Sequence, residues 1–261
     1  MSLYFDSISD AGDRRQVNQD SLFCASGIVG GVRAGIFVVA DGMGGLSYGE
    51  TVSRYITDQF ARWWREDLPS AAETHQADGE SLNELLEQEI WDVNNRVNEF
   101  CSQNGEKSGS TLSLLLIYGD AYFIKNVGDS RVYLMRRRKL TRLTEDQSLV
   151  AQMVREGVLQ QAEAAACEKK NVLTMCIGVA SSVKIFTSEG IAKKDDIFLL
   201  CSDGLHHCLT DEQLRDGLLD GKNCGNQAER LRRLIPDGAA GDNVTAIVVN
   251  CGKKALFGKN D

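Results

Sequence analysis

The segment Val38-Val39-Ala40-Asp41-Gly42-Met43-Gly44-Gly45 joins a short apolar run to an aspartate and a cluster of glycines. The phrase returns as Leu199-Leu200-Cys201-Ser202-Asp203-Gly204, and in looser form as Gly241-Asp242-Asn243 before the apolar run 244–249. Apolar runs of this length predict buried strands, so three aspartates are expected at strand ends. Carboxylates beside buried strands are costly unless they are neutralised, and hard divalent cations prefer carboxylate oxygens. The sequence therefore predicts a metal site built from Asp41, Asp203 and Asp242.

The composition is that of a folded, acidic protein. The chain has 261 residues, of which 43% are hydrophobic, and a formal net charge of −8. Fibrous and disordered classes are excluded, and a general nucleic-acid binder is disfavoured because a polyphosphate attracts lysine and arginine. The sequence has no membrane-length apolar run, no signal-peptide pattern and no Cys-x-x-Cys pair among its eight cysteines. We therefore expect a cytoplasmic protein with reduced thiols and no membrane or nucleic-acid partner.

Two long amphipathic segments predict helices. The first follows the glycine cluster and is expected to begin with a capping box formed by Ser47 and Glu50. The second is expected to begin with a similar box formed by Ser81 and Glu84. The polar stretch 66–80 between them predicts a loop, and the two helices are expected to pair in antiparallel orientation.

The second half of the chain changes to shorter patterns. Residues 110–144 alternate with period two and predict a meander of about four strands. Residues 145–181 are less regular apart from a helix beginning at Ser148, and such an insertion between strand groups is the kind of segment that covers a site. Strands resume after it, followed by a helix with a capping box of Thr210 and Gln213, a second helix and a last strand.

This order of elements predicts an α+β fold. Runs of strands broken by helical pairs, without βαβ alternation, favour two packed antiparallel sheets with helices outside. We expect residues 1–251 to form a single domain, with 145–181 as a flap insertion and 252–261 as a charged, mobile C-terminal tail. The basic run Arg136-Arg137-Arg138-Lys139 is expected at a turn. It is either a docking patch for an acidic partner or the ordinary charge that protects a sheet edge from aggregation.

Six phrases in order resemble the motifs of the PP2C-type (PPM) metal-dependent serine/threonine protein phosphatases, in their bacterial form. They are Asn18-Gln19-Asp20, Asp41-Gly42-Met43-Gly44-Gly45 with Gly49-Glu50, Gly109-Ser110-Thr111, Val127-Gly128-Asp129-Ser130-Arg131, Ser202-Asp203-Gly204-Leu205 and Gly241-Asp242-Asn243-Val244-Thr245. Each phrase is weak alone, but six in order over nearly the whole chain are a strong signal. The resemblance implies a central β-sandwich of two antiparallel sheets flanked by pairs of antiparallel helices, in four layers α/β/β/α.

The resemblance also implies a metal centre. Asp41, Asp203 and Asp242 would hold two Mn²⁺ or Mg²⁺ ions, with the Gly42 carbonyl as a further ligand and Asp41 as the bridge. A water or hydroxide shared by two cations has a lowered pKa and would attack phosphorus directly. Asp129 would bind a third, weaker ion, although an aspartate in a Gly-Asp-Ser turn can also serve only to cap that turn.

Two further roles follow from the resemblance. Asp20 would bind metal-coordinated water, and Arg15 would bind the substrate phosphate through its planar guanidinium. The implied catalytic residues are Arg15, Asp20 and Asp41.

The chain departs from the family pattern at several positions. Gln19 stands where eukaryotic members have glutamate, Met43 replaces a histidine proposed as their general acid, and Leu46 replaces a histidine usual in bacterial members. Protonation of the leaving alkoxide is then assigned, as a hypothesis, to a metal-bound water. In the flap, Gln147 stands in place of a frequent histidine. The chain's own histidines are not expected to fill the gap, and His206 is expected to pack or to meet solvent; the three are His75, His206 and His207.

The implied function is hydrolysis of phosphoserine and phosphothreonine in proteins by a monomeric enzyme that opposes a bacterial Ser/Thr kinase. The expected partners are the phosphorylated protein substrate and the kinase or its targets. Two alternatives stay open from the sequence. One is a phosphatase-like binding module without activity, against which the intact acids and Arg15 argue. The other is a related phosphatase acting on a small molecule or an anti-sigma-factor-type partner, which a comparison of phosphopeptides with small phosphoesters would distinguish.

Overall fold

The structure, a computed structural model, describes residues 1–43, 48–74, 77–105, 107–160, 163, 167, 169, 171–219 and 226–252. The strands are β1 (Leu3–Asp10), β2 (Asp20–Val29), β3 (Val32–Met43), β4 (Gly109–Ser110), β5 (Leu112–Tyr118), β6 (Ala121–Val127), β7 (Arg131–Arg136), β8 (Lys139–Arg142), β9 (Phe186–Ile191), β10 (Ile197–Cys201) and β11 (Val244–Cys251). The helices are α1 (Tyr48–Arg65), α2 (Asp67–Glu73), α3 (Gly79–Asn104), α4 (Leu149–Arg155), α5 (Asp203–His206), α6 (Asp211–Leu219) and α7 (Gln227–Leu234).

The strands form two antiparallel sheets that pack face to face. The first sheet has the order β1-β11-β10-β7-β8, and the second has the order β2-β3-β5-β6-β9, with β4 paired to β3. Side chains such as Phe37 and Leu115 of the second sheet meet Phe198 and Ile247 of the first in a buried layer between them. Helices α1 and α3 cover the outside of the second sheet, and α6 and α7 cover the first. The predicted α+β sandwich is confirmed.

Helices α1 and α3 run in opposite directions. Tyr48 at the start of α1 contacts Phe100 near the end of α3, with ring centroids 5.7 Å apart. Arg62 near the end of α1 bonds Glu89 in the first half of α3. This order of contacts confirms the antiparallel pair.

The polar stretch 66–80 is not a loop, so that prediction was wrong. Helix α2 forms within it and buries Leu68 and Ala71 against the core. Pro69 is tolerated because it lies in the first turn, where a backbone N–H has no helical acceptor to lose. The predicted box of Ser81 and Glu84 was also wrong, because α3 begins earlier, at Gly79. Its N-cap is Asp78, whose side chain accepts a hydrogen bond from the Ser81 N–H.

Residues 110–144 do not form one meander. Strands β5 and β6 pair in the second sheet, whereas β7 and β8 pair in the first, where β7 also pairs with β10. The chain crosses between the sheets at 128–130, where Gly128 adopts a left-handed φ of 102°. A period-two pattern predicts strands but carries no information on which sheet each strand joins, and this explains the error.

Other local predictions agree with the structure. Helix α4 is capped by Ser148, and the box of Thr210 and Gln213 forms reciprocally, with N···O distances of 2.9 and 3.2 Å. Ser47, His75, most of the alanine-rich part of the flap and the tail beyond Gly252 lie outside the described residues. In the part of the chain that the structure covers, no helix is both long and apolar enough to cross a membrane.

Candidate active site

One end of the sandwich collects the carboxylates that the sequence singles out. Asp20 begins β2 and lies directly opposite Asp41 of β3 in the strand register. At the same end, β10 is followed by Asp203 and β11 is preceded by Asp242, and the turn after β6 carries Asp129. We refer to these five residues as the acidic pole.

Close backbone contacts hold the acidic pole together. A Cβ on Gly42 would lie 2.2 Å from the Gly49 carbonyl oxygen and 2.6 Å from that of Gln19. A Cβ on Gly204 would lie 2.0 Å from the Asn243 carbonyl oxygen. Only glycine allows backbones to approach this closely, which explains why Asp41 and Asp203 are each followed by glycine.

Polar side chains inside the motifs position the carboxylates. The Ser202 hydroxyl donates to Asp20 Oδ2 over 2.8 Å and accepts from the Thr245 N–H over 3.0 Å. The Asp41 N–H donates to Thr111 Oγ1 over 3.0 Å. Asn18 Oδ1 accepts from the Asp20 N–H over 3.1 Å. Sequence reasoning gave these residues no role, although all of them lie in the recognised motifs.

Asn243 ties the loop that bears Arg15 to the acidic pole. Its amide Nδ2 donates to the carbonyls of Ala11 and Val17, and its Oδ1 accepts from the Gln19 N–H, all within 3.0 Å. A buried amide with both ends satisfied fixes the loop path. The loop is also held by Asp13, which accepts from the Ala240 N–H over 2.9 Å.

Three carboxyl groups of the acidic pole, those of Asp20, Asp41 and Asp129, have raised pKa values in the absence of cations. Burial is the main cause that raises the pKa of Asp20 to about 7, and the charge of Asp203 contributes to the rise. Hydrogen bonds from Thr245 and Ser202 act in the opposite direction and lower this pKa. Burial, followed by the charge of Asp203, also raises the pKa of Asp129 to about 7. Although Asp41 keeps some exposed surface, its carboxyl group is desolvated, and this burial and the charge of Asp20 raise its pKa well above the ordinary value. Positive charge would lower all three pKa values.

Arg15 is the cation at the rim of the acidic pole. Its Nη2 donates to Asp242 Oδ2 over 2.8 Å, and the side chain is 53% exposed. The hydrogen bond to Asp242 is the main cause of the raised pKa of Arg15, and Asp203 and Asp41 add to it. The guanidinium is therefore charged, oriented toward the carboxylates and accessible to solvent.

The sequence model of protein phosphatase 2C matches residues 11–233 of this chain. The chain belongs to the protein phosphatase 2C family. It is 30% identical over 216 residues to a serine/threonine phosphatase stp of Listeria welshimeri, covering 82% of this chain and 83% of that protein. The serine/threonine phosphatase of S. agalactiae has a similar structure, with a TM-score of 0.85, 28% identity and coverage of 96% of this chain and all of that chain. The catalytic domain of the phosphatase PstP, in complex with two manganese ions, matches with a TM-score of 0.80, 27% identity and coverage of 95% and 97%.

Protein phosphatase 2C enzymes are metal-dependent, and the donor chemistry of the acidic pole fits divalent cations. The five candidate side chains offer hard carboxylate oxygens, and Asp20 Oδ1 is buried without a hydrogen-bond partner in the described structure. Nevertheless, no three or more His, Cys, Asp or Glu side chains of the described residues are gathered into a finished metal-binding group. The unpartnered oxygen and the raised pKa values both indicate charges that cations would satisfy.

The histidines near this phosphatase 2C site differ in role. His206 is buried, and its Nε2 donates to the Asp129 carbonyl over 3.0 Å. Burial holds the pKa of His206 well below its ordinary value, so the ring is neutral and packs against the turn, as expected. Sequence analysis gave His207 no role at the site, but its Nδ1 lies 3.4 Å from Asp203 Oδ2 at an i, i+4 spacing. That spacing on a helical turn was the available signal.

Gln147 connects the flap to the phosphatase 2C core. Its side-chain oxygen accepts from the Gly128 N–H over 2.8 Å, and its backbone N–H donates to the Gly128 carbonyl over 3.0 Å. Its side-chain nitrogen donates to the Lys184 carbonyl. Gln147 thus stabilises the turn that carries Asp129 through hydrogen bonds to Gly128.

Proposed function

We propose that this chain is a metal-dependent phosphatase that hydrolyses phosphoserine and phosphothreonine in proteins and opposes a Ser/Thr kinase. Its membership of the protein phosphatase 2C family and the names of its relatives support this assignment. The observation that carries it is the acidic pole with Arg15 at its rim. Buried carboxylates and an exposed guanidinium meet there, as required for cations and for a phosphate monoester.

We propose the following division of roles within the acidic pole. Asp41, Asp203 and Asp242, with the Gly42 carbonyl, hold two Mn²⁺ or Mg²⁺ ions. Asp20 would contact these ions through water, and Asp129 would bind a third ion. When bound, such ions supply Lewis-acid activation of water.

Arg15 is proposed to bind and orient the substrate phosphate. The Asp242 carboxylate engages Nη2, and the planar guanidinium has further N–H donors that can point toward a phosphate oxygen. The loop contacts of Asn243 and Asp13 keep Arg15 from swinging away, so the entropy cost of positioning the phosphate is reduced. Lysine at this position would keep the charge but lose the fork geometry.

The test is phosphate release from a phosphothreonine peptide by metal-stripped protein, with and without added Mn²⁺. We expect turnover that requires the metal and falls by at least about a hundredfold in Asp203→Asn, because one cation loses a ligand. Asp58→Asn is the matched control, because Asp58 is exposed on α1, and it should retain activity. Arg15→Lys should raise KM more than it lowers kcat.

Two other results of this assay would each contradict the proposal and point to a different function. Protein that binds Mn²⁺ but releases no phosphate from peptides or small phosphoesters would be a phosphatase-like binding module. Release from small phosphoesters alone would indicate a small-molecule phosphatase.

We further propose that residues 1–251 act as one catalytic domain with residues 145–181 as a flap over the site, and that the enzyme is a cytoplasmic monomer. The seven described cysteines are free thiols, as is usual in a reducing compartment. Light scattering on the purified protein tests the monomer, and a dimer mass would refute it.

A further inference from the structure

A basic groove lies at the end of the sandwich opposite the acidic pole. Strand β10 runs from Ile197 to Cys201, so its start is about 15 Å from the end that leads to Asp203. Around that start, residues of the β7–β8 turn face residues of the β9–β10 connection across a cavity of about 650 Å³. Four exposed cations line the groove: Arg137, Arg138, Lys193 and Lys194.

The cations of the basic groove are available for a ligand. None of these four side chains forms an ion pair with another described residue. Among the described lining residues the acids are Asp195, which is exposed, and Asp196, which is buried beneath Arg136. On a chain with a net charge of −8, this is a strong local excess of positive charge.

The β7–β8 turn is costly for the fold. Arg137 and Arg138 both have left-handed backbone conformations, with φ of 51° and 65°. A two-residue hairpin turn of this kind favours Asn-Gly, because glycine and asparagine tolerate positive φ and long side chains do not. The chain thus carries two arginines where stability alone would favour other residues, which is a pattern of functional sites.

The two walls of the groove are fixed to each other. Arg136 makes two hydrogen bonds to the Asp196 carboxylate, at 2.8 and 2.6 Å, and a third to the Ile191 carbonyl. Asp196 in turn accepts from the Lys193 N–H. The hairpin arginines and the lysine pair are therefore presented in a fixed arrangement, and little ordering is needed when a ligand binds.

Edge protection does not account for this arrangement. Strand β8 is an edge of the first sheet, and Lys139 on it has the usual protective charge. That purpose requires neither two strained arginines in the turn nor a second pair of cations from another connection. The groove also has an apolar floor, formed by Met135, Ile197 and Leu219.

We propose that the basic groove binds an extended acidic segment of a protein partner, with an apolar side chain on the floor and carboxylates against both walls. The concave shape and the absence of aromatic side chains among the described lining residues favour a peptide over a membrane surface. This proposal is separate from the phosphatase activity, because the groove lies away from the acidic pole and peptide binding there can be measured without phosphate release.

The test uses fluorescence anisotropy of a labelled peptide in which glutamates flank one leucine. We expect saturable binding that weakens as salt is raised, and at least about tenfold weaker binding by Arg137→Glu/Arg138→Glu. The matched control is Arg54→Glu/Arg65→Glu, which makes the same charge change at two exposed arginines of α1 and should bind like wild type. Hydrolysis of a small phosphoester should be unchanged in both double variants.

A second variant separates binding from folding. Arg137→Asn/Arg138→Gly should lose peptide affinity while its Tm rises, because it relieves the strained turn. Equal loss of affinity in both glutamate double variants would overturn the proposal, since net charge alone would then explain binding. Absence of peptide binding by wild type would also overturn it, as would groove-dependent binding to phosphatidylglycerol vesicles without binding to the peptide.

Discussion

Replacement of Asp20 by asparagine should stabilise the metal-free protein by an amount that grows as the pH rises from about 4 to about 7 and then levels off. The buried Asp20 carboxylate has no cation beside it in the absence of metal, so its charged form opposes folding. Burial, with the charge of Asp203 as a further cause, raises its pKa to about 7 from the ordinary 3.8. The folded protein therefore binds a proton more tightly at this position than the unfolded chain does. Stability from Asp20 is present below the unfolded pKa and is lost as the pH rises through 7.

The two pKa values set the size of the effect. One pKa unit corresponds to about 1.4 kcal/mol, so the loss of folding free energy caused by Asp20 is below about 1 kcal/mol at pH 4 and about 4 kcal/mol at pH 8. Asparagine has nearly the same shape, and its amide oxygen can still accept from Ser202. Loss of the charge also relieves Asp41, whose raised pKa has Asp20 as its largest charged cause. The variant should therefore exceed wild type by up to about 4 kcal/mol at pH 8.

The assay is urea unfolding of chelator-treated protein at pH values from 5 to 8, with the free energy of unfolding compared between wild type and Asp20→Asn. Asp58→Asn on the exposed face of α1 should follow the wild-type curve. Saturating Mn²⁺ should stabilise wild type more than the variant. Parallel pH curves for wild type and Asp20→Asn, or a variant less stable at pH 8, would refute the argument from burial.

Three further predictions test individual contacts. Ser202→Ala should lower the free energy of unfolding by about 2 kcal/mol, because Asp20 and the Thr245 N–H both lose a buried partner; a loss below about 0.5 kcal/mol in urea unfolding would contradict this. Glu87→Ala should cost about 3 kcal/mol because it leaves the fully buried Lys125 without a counter-charge and bonded to the Thr187 hydroxyl, whereas Lys125→Met should cost less than about 1 kcal/mol. Equal losses of unfolding free energy in the two variants would contradict this asymmetry. Gly204→Ala should cost about 3 kcal/mol, since its Cβ would lie 2.0 Å from the Asn243 carbonyl oxygen, and an unchanged Tm would show that the contact relaxes freely.

Helix and strand positions were predictable where the chain itself supplies the interactions. The caps at Ser148 and Thr210 involve residues three positions apart, so they are visible as short patterns. The start of α3 was predicted wrongly because aspartate and serine are both good N-cap residues. The sequence alone does not show that the Asp78 side chain accepts the hydrogen bond from the first turn. Helix α2 was missed because its stability comes from burying Leu68 and Ala71 against the core, and tertiary packing overrides local polarity.

The carboxylates of the candidate site were predictable from the sequence, but the hydrogen bonds that position them were not. Asp41, Asp203 and Asp242 stand out because each joins an apolar run to a turn, and this pattern is local. Ser202 and Asn243 act through hydrogen bonds to residues far away in the chain, so their roles become visible only when the loops meet.

The sequence by itself determined the family, the order of most strands and helices, and the carboxylates that gather at one end. Tertiary structure alone decided which sheet β7 and β8 join and that Lys193 and Lys194 face Arg137 and Arg138 across a groove. The physical reason is the range of the interactions. Periodicity, caps and turns depend on neighbours in the chain. The pairing of β7 with β10 and the clustering of the groove cations depend on contacts between residues more than fifty positions apart, which no local pattern specifies.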